Sequence, residues 1–247
     1  MKVTCLSWRG RWVATALMLA VAAAEVRAQA PAPPARRYAR MVVLAPRDGQ
    51  ERNFEEGYQR HLEWHRQQKD PWTWLGWSFV LGPRLGQFMD GTFGHPVADF
   101  DQAVDPAADA ADNSRNVVPY ALFSQHSVYE HLDSLSGSRS LPDTLPFLVL
   151  ATYRVRPGSE ARFEGRLATL LKARTRDPAG PGRYAWLKLT VGGPGPEYLL
   201  LRSAPSWQAA LELPDPLGPH SEEVESVTTE LLRFRSPLSY QPLNPEG

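Results

Sequence analysis

The sequence lacks most of the features that would point directly to a reaction. Its 247 residues include one cysteine, Cys5, so no disulfide can form within the chain and its stability must come from an apolar core. It contains no G-x-S-x-G nucleophile elbow and no Walker-type phosphate loop. Its 27 Lys and Arg residues equal its 27 Asp and Glu residues, and no basic stripe with interleaved aromatic residues is present. Nucleic acid is therefore not an expected partner.

The first 28 residues have the layout of a secretory signal peptide. An apolar run over residues 12–24 follows three basic residues, Lys2, Arg9 and Arg11. Of two small-residue cleavage motifs, the second would leave Pro31 directly after the cut, so we expect cleavage after Ala28. The apolar run is shorter than the roughly 20 residues of a membrane span. The sequence thus predicts a periplasmic or secreted protein, with no stable membrane insertion after signal cleavage.

Removal of residues 1–28 leaves a slightly acidic chain. That segment carries four of the 27 basic residues and one of the 27 acidic residues, so the mature chain has 23 against 26 and a net charge near −3. Residues 29–37 are rich in proline, and this composition predicts a disordered leader.

The rest of the chain contains two copies of one module, a first repeat at residues 38–140 and a second repeat at residues 141–247. Phe54 and Phe163 lie in similar local sequences 109 positions apart, and so do Trp77 and Trp186. Both copies end on Leu-Ser, at residues 135–136 and 238–239. The shared order and near-constant spacing of these matches predict an internal duplication.

Each copy has the element order strand, helix, strand, strand, helix, strand. First strands are expected at residues 40–46 and 147–155, long helices at 52–68 and 159–174, and aromatic-rich second strands at 72–81 and 184–191. Residues 192–196 (GGPGP) are expected to form a hairpin loop. The βαββαβ order is that of the ferredoxin-like motif, whose bare sheet face a second sheet can cover. We predict an α+β fold in which two tandem ferredoxin-like repeats pack sheet to sheet as an intramolecular, pseudo-dimeric α+β barrel.

In element order and repeat length, residues 38–243 resemble the dimeric α+β barrel superfamily. This superfamily includes antibiotic-biosynthesis-type monooxygenases, NIPSNAP-like proteins and chlorite-dismutase-like haem proteins, and within it the chain looks most similar to exported bacterial proteins. The resemblance implies a pocket between helix and sheet. Haem-binding members hold the iron with a histidine in the second repeat, where this sequence has only His220 in a Pro-rich stretch. The cofactor therefore stays unknown.

The long helices of the two copies differ on the face that should turn inward. The second copy carries there a stripe at i, i+4, i+7 and i+8 that is entirely apolar: Phe163, Leu167, Leu170 and Leu171. The equivalent residues of the first copy are Phe54, Tyr58, His61 and Leu62, with His65 one turn further along. A buried polar group without a partner costs about 1–3 kcal/mol. These polar side chains therefore either have hydrogen-bond partners in the core or face a wet cavity.

We predict a pocket in the first repeat, with His61 and His65 as candidate catalytic residues. Its candidate ligand-binding residues are Tyr58, Trp72, Trp74, Trp77, Asp90 and His95. The tryptophans could stack on a flat ligand, or they could belong to a strand buried between helix and sheet.

A metal ion is a further possibility that the sequence leaves open, although no metal site is assigned. His61 and His65 are four residues apart on a helix, and a third ligand would have to come from Asp90, His95 or Asp101. Glu63 would point away from both histidines, so the zincin motif is absent. The acidic stretch from Asp99 to Asp112 is expected to form a strand end, a helix cap and a solvated helix face.

Three functions are compatible with these patterns. The first is an exported protein that binds a small organic molecule in the first-repeat pocket, with the second repeat as structural partner. The second is a cofactor-independent enzyme of the monooxygenase or isomerase kind, in which His61 or His65 is the general base. The third is a protein-interaction module without a small ligand.

Overall fold

The computed structural model describes residues 35–137, 142–174, 183–213, 217 and 221–242. The predicted signal peptide, most of the predicted leader, the boundary between the repeats and His220 lie outside these ranges. Arg37, the last residue of the predicted leader, already belongs to the first strand. No helix within the described ranges combines the length and apolarity needed to cross a membrane.

The described residues follow the predicted element order twice. The first repeat contains β1 (Arg37–Pro46), α1 (Glu51–Gln67), β2 (Leu75–Leu81), β3 (Phe88–His95), α2 (Pro106–Asn116) and β4 (Ala121–His131). The second contains β5 (Phe147–Val155), α3 (Glu160–Arg174), β6 (Ala185–Val191), β7 (Glu197–Ala204), α4 (Trp207–Leu211) and β8 (Val224–Phe234). Residues 192–196 connect β6 to β7, as the hairpin prediction requires. The predicted α+β fold class is confirmed.

Strand β2 begins at Leu75 and not at Trp72, so the prediction was wrong by three residues there. The cause is Asp70, whose side chain accepts a hydrogen bond from the backbone N–H of Trp72 at 2.9 Å. The segment between α1 and β2 therefore bends around this carboxylate before the strand can start.

The eight strands form one closed antiparallel barrel in the order β1-β3-β2-β8-β5-β7-β6-β4. Within it, β4-β1-β3-β2 and β8-β5-β7-β6 each have the ferredoxin-like strand order. The two sheets join through the pairs β2–β8 and β4–β6, which leaves no free sheet edge. The predicted pseudo-dimeric barrel is confirmed, and the two repeats share one continuous sheet.

Successive side chains along each strand point alternately into the barrel and toward the outer face of the sheet, which the helices cover. On β1, Met41 and Val43 point into the barrel, whereas Val42 and Leu44 point outward under α1. Helix α3 covers the second sheet in the same way with an aromatic cluster built on Phe163. Each large apolar side chain buried in these layers contributes about 1.5–3 kcal/mol.

The residues that end each repeat bind the second strand of the other repeat. The Ser136 hydroxyl oxygen accepts a hydrogen bond from the backbone N–H of Trp186 at 2.9 Å. The Ser239 hydroxyl oxygen accepts one from the backbone N–H of Gly76, also at 2.9 Å. This exchange explains why both copies end on Leu-Ser. The chain after Ser239 also reaches the first repeat, where the backbone of Tyr240 forms hydrogen bonds with the backbone of Trp74.

Candidate functional site

Helix α1 presents the predicted polar stripe to the outer face of the first-repeat sheet. Tyr58, His61 and His65 are all buried, and each histidine is only 5% exposed. The sister helix α3 has leucine at the positions equivalent to Tyr58 and His61. The polar stripe must therefore have partners, and three other segments supply them.

Helix α2 packs closely against α1 and supplies two aspartates to this site. Close packing is possible because Gly57 has no side chain, and a Cβ there would lie 1.9 Å from the carbonyl oxygen of Asn116. Asp105 caps the helix as predicted, since its side chain accepts a backbone N–H of the first turn. The expectation of a solvated face was wrong further along. Asp109 and Asp112 both approach His61, and Asp112 is only 8% exposed.

His61 is oriented by Asp112. Its Nδ1 lies 2.9 Å from one carboxylate oxygen, and the other oxygen accepts a hydrogen bond from the Asn116 amide at 3.0 Å. A carboxylate can only accept here, so the ring proton of His61 lies on Nδ1 and Nε2 carries a lone pair. Burial lowers the pKa of His61, although Asp112 and Asp109 act in the opposite direction. The neutral imidazole is therefore favoured.

His65 is oriented in the same way by Asp70. Its Nδ1 lies 2.7 Å from an Asp70 oxygen that also accepts the Trp74 indole N–H at 3.0 Å. The Tyr240 hydroxyl donates to the backbone carbonyl of Asp70 at 2.8 Å, so the end of the second repeat helps to fix this loop. Burial alone would raise the pKa of Asp70, but hydrogen bonds from His65, Trp74 and the Trp72 backbone outweigh it and lower the pKa.

The Nε2 atoms of the two histidines point at each other and at a third ligand atom. Nε2 of His61 lies 3.3 Å from Nε2 of His65. One carboxylate oxygen of Asp109 lies 3.4 Å from the first nitrogen and 3.7 Å from the second. That oxygen is buried and forms no hydrogen bond within the described residues. Three electron-pair donors thus converge on one point, and we call His61, His65 and Asp109 the ligand triangle.

A second buried carboxylate lies beside the triangle. Asp90 is 7% exposed and accepts a hydrogen bond from the Tyr58 hydroxyl at 2.7 Å, while its other oxygen has no hydrogen-bond partner in the described part of the chain. Burial raises the pKa of Asp90 to about 6, although the Tyr58 hydrogen bond and the charge of Arg40 lower it. Burial and the neighbouring Asp90 charge raise the pKa of Tyr58 in turn.

The cavity between α1 and the sheet is small. Its volume is about 50 Å³, and it is lined by the ligand triangle, Tyr58, Trp74 and Asp90, with Arg40, Phe123 and His126 also on its wall. Pockets for organic ligands usually measure about 300–1,000 Å³. This cavity has room for an ion and one or two water molecules, and an organic molecule has to stay outside it.

Two larger cavities are lined by residues that the structure describes. One of about 270 Å³ lies in the barrel interior, where Glu197 and Glu230 are buried and paired with Arg154 and Arg84. The other, of about 450 Å³, is a groove between β4 and the β6–β7 turn. Its lining includes Phe123 and His126, which also line the small cavity.

The structure brings together five of the eight predicted site residues: Tyr58, His61, His65, Trp74 and Asp90. Trp72 touches the site through its backbone, and its ring packs on His95 with the ring centroids 4.5 Å apart. His95 itself contacts Thr92 and Asp99, away from the small cavity. Trp77 is fully buried inside the barrel, on the opposite face of β2.

The third member of the ligand triangle differs from all three candidates that the sequence suggested. Asp90 lines the cavity without joining the triangle, and neither His95 nor Asp101 belongs to it. Sequence reasoning also missed Asp70 and Asp112. Their signal was weak, because Asp70 directly follows the helix as a loop residue and Asp112 lies in a stretch that appeared solvated.

The equivalent space in the second repeat is filled. Phe163 and Trp186 pack there with Tyr153 and Tyr198, and all four side chains are buried. No histidine lies among the described residues of the second repeat. The described residues of the second repeat therefore offer no histidine ligand for haem iron, and they do not fit the haem site that the superfamily resemblance implies.

Comparison with models of protein families gives no match, and neither does comparison with curated proteins. Solved structures do match. A candidate monooxygenase from Fusobacterium nucleatum is 10% identical, with 85% of this chain and 100% of that chain covered and a TM-score of 0.55. An anthrone oxidase-like protein is 11% identical, with 81% and 91% covered and a TM-score of 0.51.

A third solved structure is the chlorite dismutase from Candidatus Nitrospira defluvii in complex with imidazole. It is 8% identical, with 82% of this chain and 92% of that chain covered and a TM-score of 0.54. Similarity at such low identity concerns the fold. Together with the closed ring of eight strands, it shows that this chain has the dimeric α+β barrel fold.

Proposed function

We propose that this protein is an exported metal-dependent enzyme that acts on a small organic molecule. His61, His65 and Asp109 hold a divalent transition-metal ion between α1, α2 and the first-repeat sheet. The observation that carries this proposal is the convergence of the three ligand atoms, with separations of 3.3, 3.4 and 3.7 Å.

These separations are close to those that an ion requires. With bonds of about 2.0–2.1 Å to nitrogen and oxygen, the ligand atoms of one ion lie about 3.3–3.4 Å apart at tetrahedral angles and about 3 Å apart at the right angles of an octahedral ion. Without an ion, the Asp109 oxygen has no hydrogen-bond partner among the described residues, although it is buried beside two imidazole nitrogens. A small movement of Asp109, the most exposed of the three, completes the fit.

The surroundings of both histidines support the same assignment. Metal-ligating histidines almost always donate their second ring N–H to a carboxylate, a carbonyl or water, which fixes the tautomer. Here Asp112 and Asp70 accept from the two Nδ1 atoms at 2.9 and 2.7 Å. The second repeat has no such arrangement among its described residues, and leucine replaces His61.

Three protein ligands leave coordination positions open, as in catalytic rather than structural sites. Two histidines and one carboxylate with open positions are the ligand set of non-haem Fe(II) oxygenases. Proteins with the same fold include a candidate monooxygenase and an anthrone oxidase-like protein, whose names point to oxidation as well. We therefore favour ferrous iron as the ion and oxidation of a small organic molecule as the reaction.

Metal analysis tests the site directly. The full chain is expressed with its export signal, collected from the periplasm and analysed for metals before and after incubation with Fe²⁺, Mn²⁺ or Zn²⁺ without oxygen. We expect one tightly bound ion per chain, and a loss of affinity of at least tenfold in His61→Leu and in Asp109→Asn. His95→Gln is the matched control, because His95 is also buried but lies outside the triangle.

A wild-type chain that takes up no ion would contradict the proposal and would favour a metal-free general base at His61 or His65. Equal uptake by His61→Leu would place the ion elsewhere. A site that holds only zinc would overturn oxidation as the reaction and would favour hydrolysis.

Export is supported by the charge and apolar pattern of residues 1–28. The mass of the periplasmic protein tests it separately. Loss of residues 1–28 is expected, and an intact chain retained in the cytoplasm would contradict it.

A further inference from the structure

Arg40 lies at the opening of the small cavity with most of its hydrogen-bonding capacity unused. It is half-buried on β1, its Nε donates to Nε2 of His126 at 2.7 Å, and its guanidinium lies over the Trp74 ring at 5.8 Å. In the part of the chain that the structure describes, Arg40 forms no ion pair, and its two terminal nitrogens form no hydrogen bond. A planar guanidinium with two free donors is suited to bind a carboxylate through both oxygens.

Arg40 lines the same small cavity as the ligand triangle, and the strand register shows how it reaches that cavity. Val42, two residues along β1, pairs with Asp90 on β3 and with His126 on β4. Arg40 therefore shares the outer face of the sheet with the cavity wall, on the side of His126. An anion held by Arg40 would lie against the opening of the cavity.

The 450 Å³ groove adjoins the small cavity. Phe123 and His126 line both the groove and the small cavity. The opposite wall is the turn 192–194 of the second repeat, held against β4 because Gly192 has no Cβ. A Cβ at Gly192 would lie 2.2 Å from the His126 carbonyl oxygen, and the Ser127 hydroxyl donates to the Gly192 carbonyl at 2.8 Å. The groove thus has the size and the partly apolar wall of an organic-ligand site.

The charges beside the groove favour an anion. In the groove itself Arg154 is already paired with Glu197 at 3.0 Å, whereas Arg40 lines the adjoining small cavity. Arg40 forms no ion pair among the described residues, although its charge acts on the buried Asp90 carboxylate. An organic anion would find both terminal nitrogens of Arg40 available as donors.

We infer that the substrate is a small organic carboxylate, bound with its carboxylate on Arg40 and its apolar body in the groove between β4 and the turn 192–194. This inference rests on the proposed metal centre, because Arg40 would hold the substrate carboxylate on the wall of the cavity that contains the ion. It gives the second repeat a direct part in substrate binding, beyond that of a structural partner.

Cobalt spectroscopy tests this inference with defined probes. The protein is loaded with Co²⁺ in place of its own ion, and the visible absorption bands are followed during titration with benzoate. Benzamide, which has the same shape without the charge, is titrated in parallel. We expect a saturable change with benzoate and at least tenfold weaker binding of benzamide.

Arg40→Met removes the charge while keeping a side chain that can pack on Trp74. We expect benzoate to bind at least tenfold more weakly to this variant and the benzamide affinity to stay unchanged. Arg36→Met is the control, because Arg36 immediately precedes β1 and its side chain is 72% exposed. Circular dichroism and the Co²⁺ spectrum before titration show whether each variant is folded and loaded.

The outcomes separate the two proposals. Failure of the wild-type protein to bind Co²⁺ at the ligand triangle would refute the metal centre. Normal Co²⁺ binding with no response to benzoate, an equal response to benzamide, or an unchanged benzoate affinity in Arg40→Met would refute the carboxylate substrate and leave the metal centre standing.

Discussion

Replacing Asp70 with asparagine tests whether this carboxylate stabilises the fold and orients His65 for metal binding. Asp70 is 4% exposed and accepts hydrogen bonds from His65, from the Trp74 indole and from the Trp72 backbone, at 2.7, 3.0 and 2.9 Å. Asparagine has nearly the same shape, but one of its two terminal atoms is a donor. No orientation of the amide can accept all three hydrogen bonds.

The best orientation keeps the oxygen toward His65 and Trp74 and turns the amide N–H₂ toward the Trp72 N–H. One hydrogen bond to a charged acceptor is then lost, and the other two lose their charge assistance. Hydrogen bonds to charged groups contribute about 1.5–3 kcal/mol, so we expect Asp70→Asn to lower the free energy of unfolding by about 2–3 kcal/mol. For a domain of this size that corresponds to a fall in Tm of about 4–12 °C.

The other orientation points the amide at His65. The ring proton must then move from Nδ1 to Nε2, which removes one of the three metal ligands. In either orientation the carboxylate behind His65 is lost, and loss of such an outer partner typically weakens metal binding by about 10–100-fold. We therefore expect Asp70→Asn to weaken metal binding within this range, measured by competition with a chelating dye.

Asp99→Asn is the matched control, because Asp99 also lies near a histidine Nδ1, that of His95 at 3.4 Å, but outside the site. It should change neither the Tm nor the metal affinity measurably. An Asp70→Asn variant with wild-type Tm and wild-type metal affinity would show that Asp70 neither stabilises the loop between α1 and β2 nor orients His65 for metal binding.

Two further predictions use the helix packing and the buried acid. Gly57→Ala should destabilise the protein by several kcal/mol in chemical denaturation and weaken metal binding, because the new Cβ meets the Asn116 carbonyl and pushes α2 away from α1. Gly165→Ala in the sister helix meets no atom within 4 Å and should stabilise the fold by up to about 1 kcal/mol, so equal effects of the two changes would refute this reading. Asp90 has a raised pKa of about 6 in the folded state, so its contribution to stability is full below its unfolded pKa and is lost as the pH rises toward 6. In metal-free protein, the unfolding free energy of wild type relative to Asp90→Asn should therefore fall between pH 4 and pH 7, and a difference independent of pH would contradict the raised pKa.

Much of the fold could be predicted from the sequence because its periodic signals are local. The alternation in β1 and the helical spacing in α1 recur about 109 residues later, and two weak patterns that agree are stronger than one. The closure of the barrel through β2–β8 and β4–β6 followed only from the resemblance to a known fold. The pairing of strand edges that lie far apart in the chain has no local sequence pattern, so a single sequence does not predict it.

The candidate site was only half predictable for a similar reason. His61 and His65 were found because the sister helix carries leucine where the first copy has His61. Asp109 and Asp112 were not found, because their orientation depends on how α2 crosses α1. That crossing is set by the absence of a side chain at Gly57, whose effect is visible only in three dimensions.

The duplication also explains how a small barrel can hold so many buried polar groups in one half. Around the inner face of α1 the first repeat buries His61 and His65 with the carboxylates of Asp70, Asp90 and Asp112, whereas the second repeat fills the equivalent space with a cluster around Phe163 and Trp186. The closed sheet is common to both repeats, so the apolar cluster under α3 stabilises the strands on which the polar site is built. An ion that binds only the folded state adds about 2.7 kcal/mol at a free concentration of 100 Kd. This stabilisation by the ion is not needed for folding if the apolar cluster under α3 already stabilises the barrel. The metal-free protein should therefore stay folded. This is the behaviour of a protein with an exchangeable catalytic ion, whereas a domain built around a structural zinc ion unfolds without it.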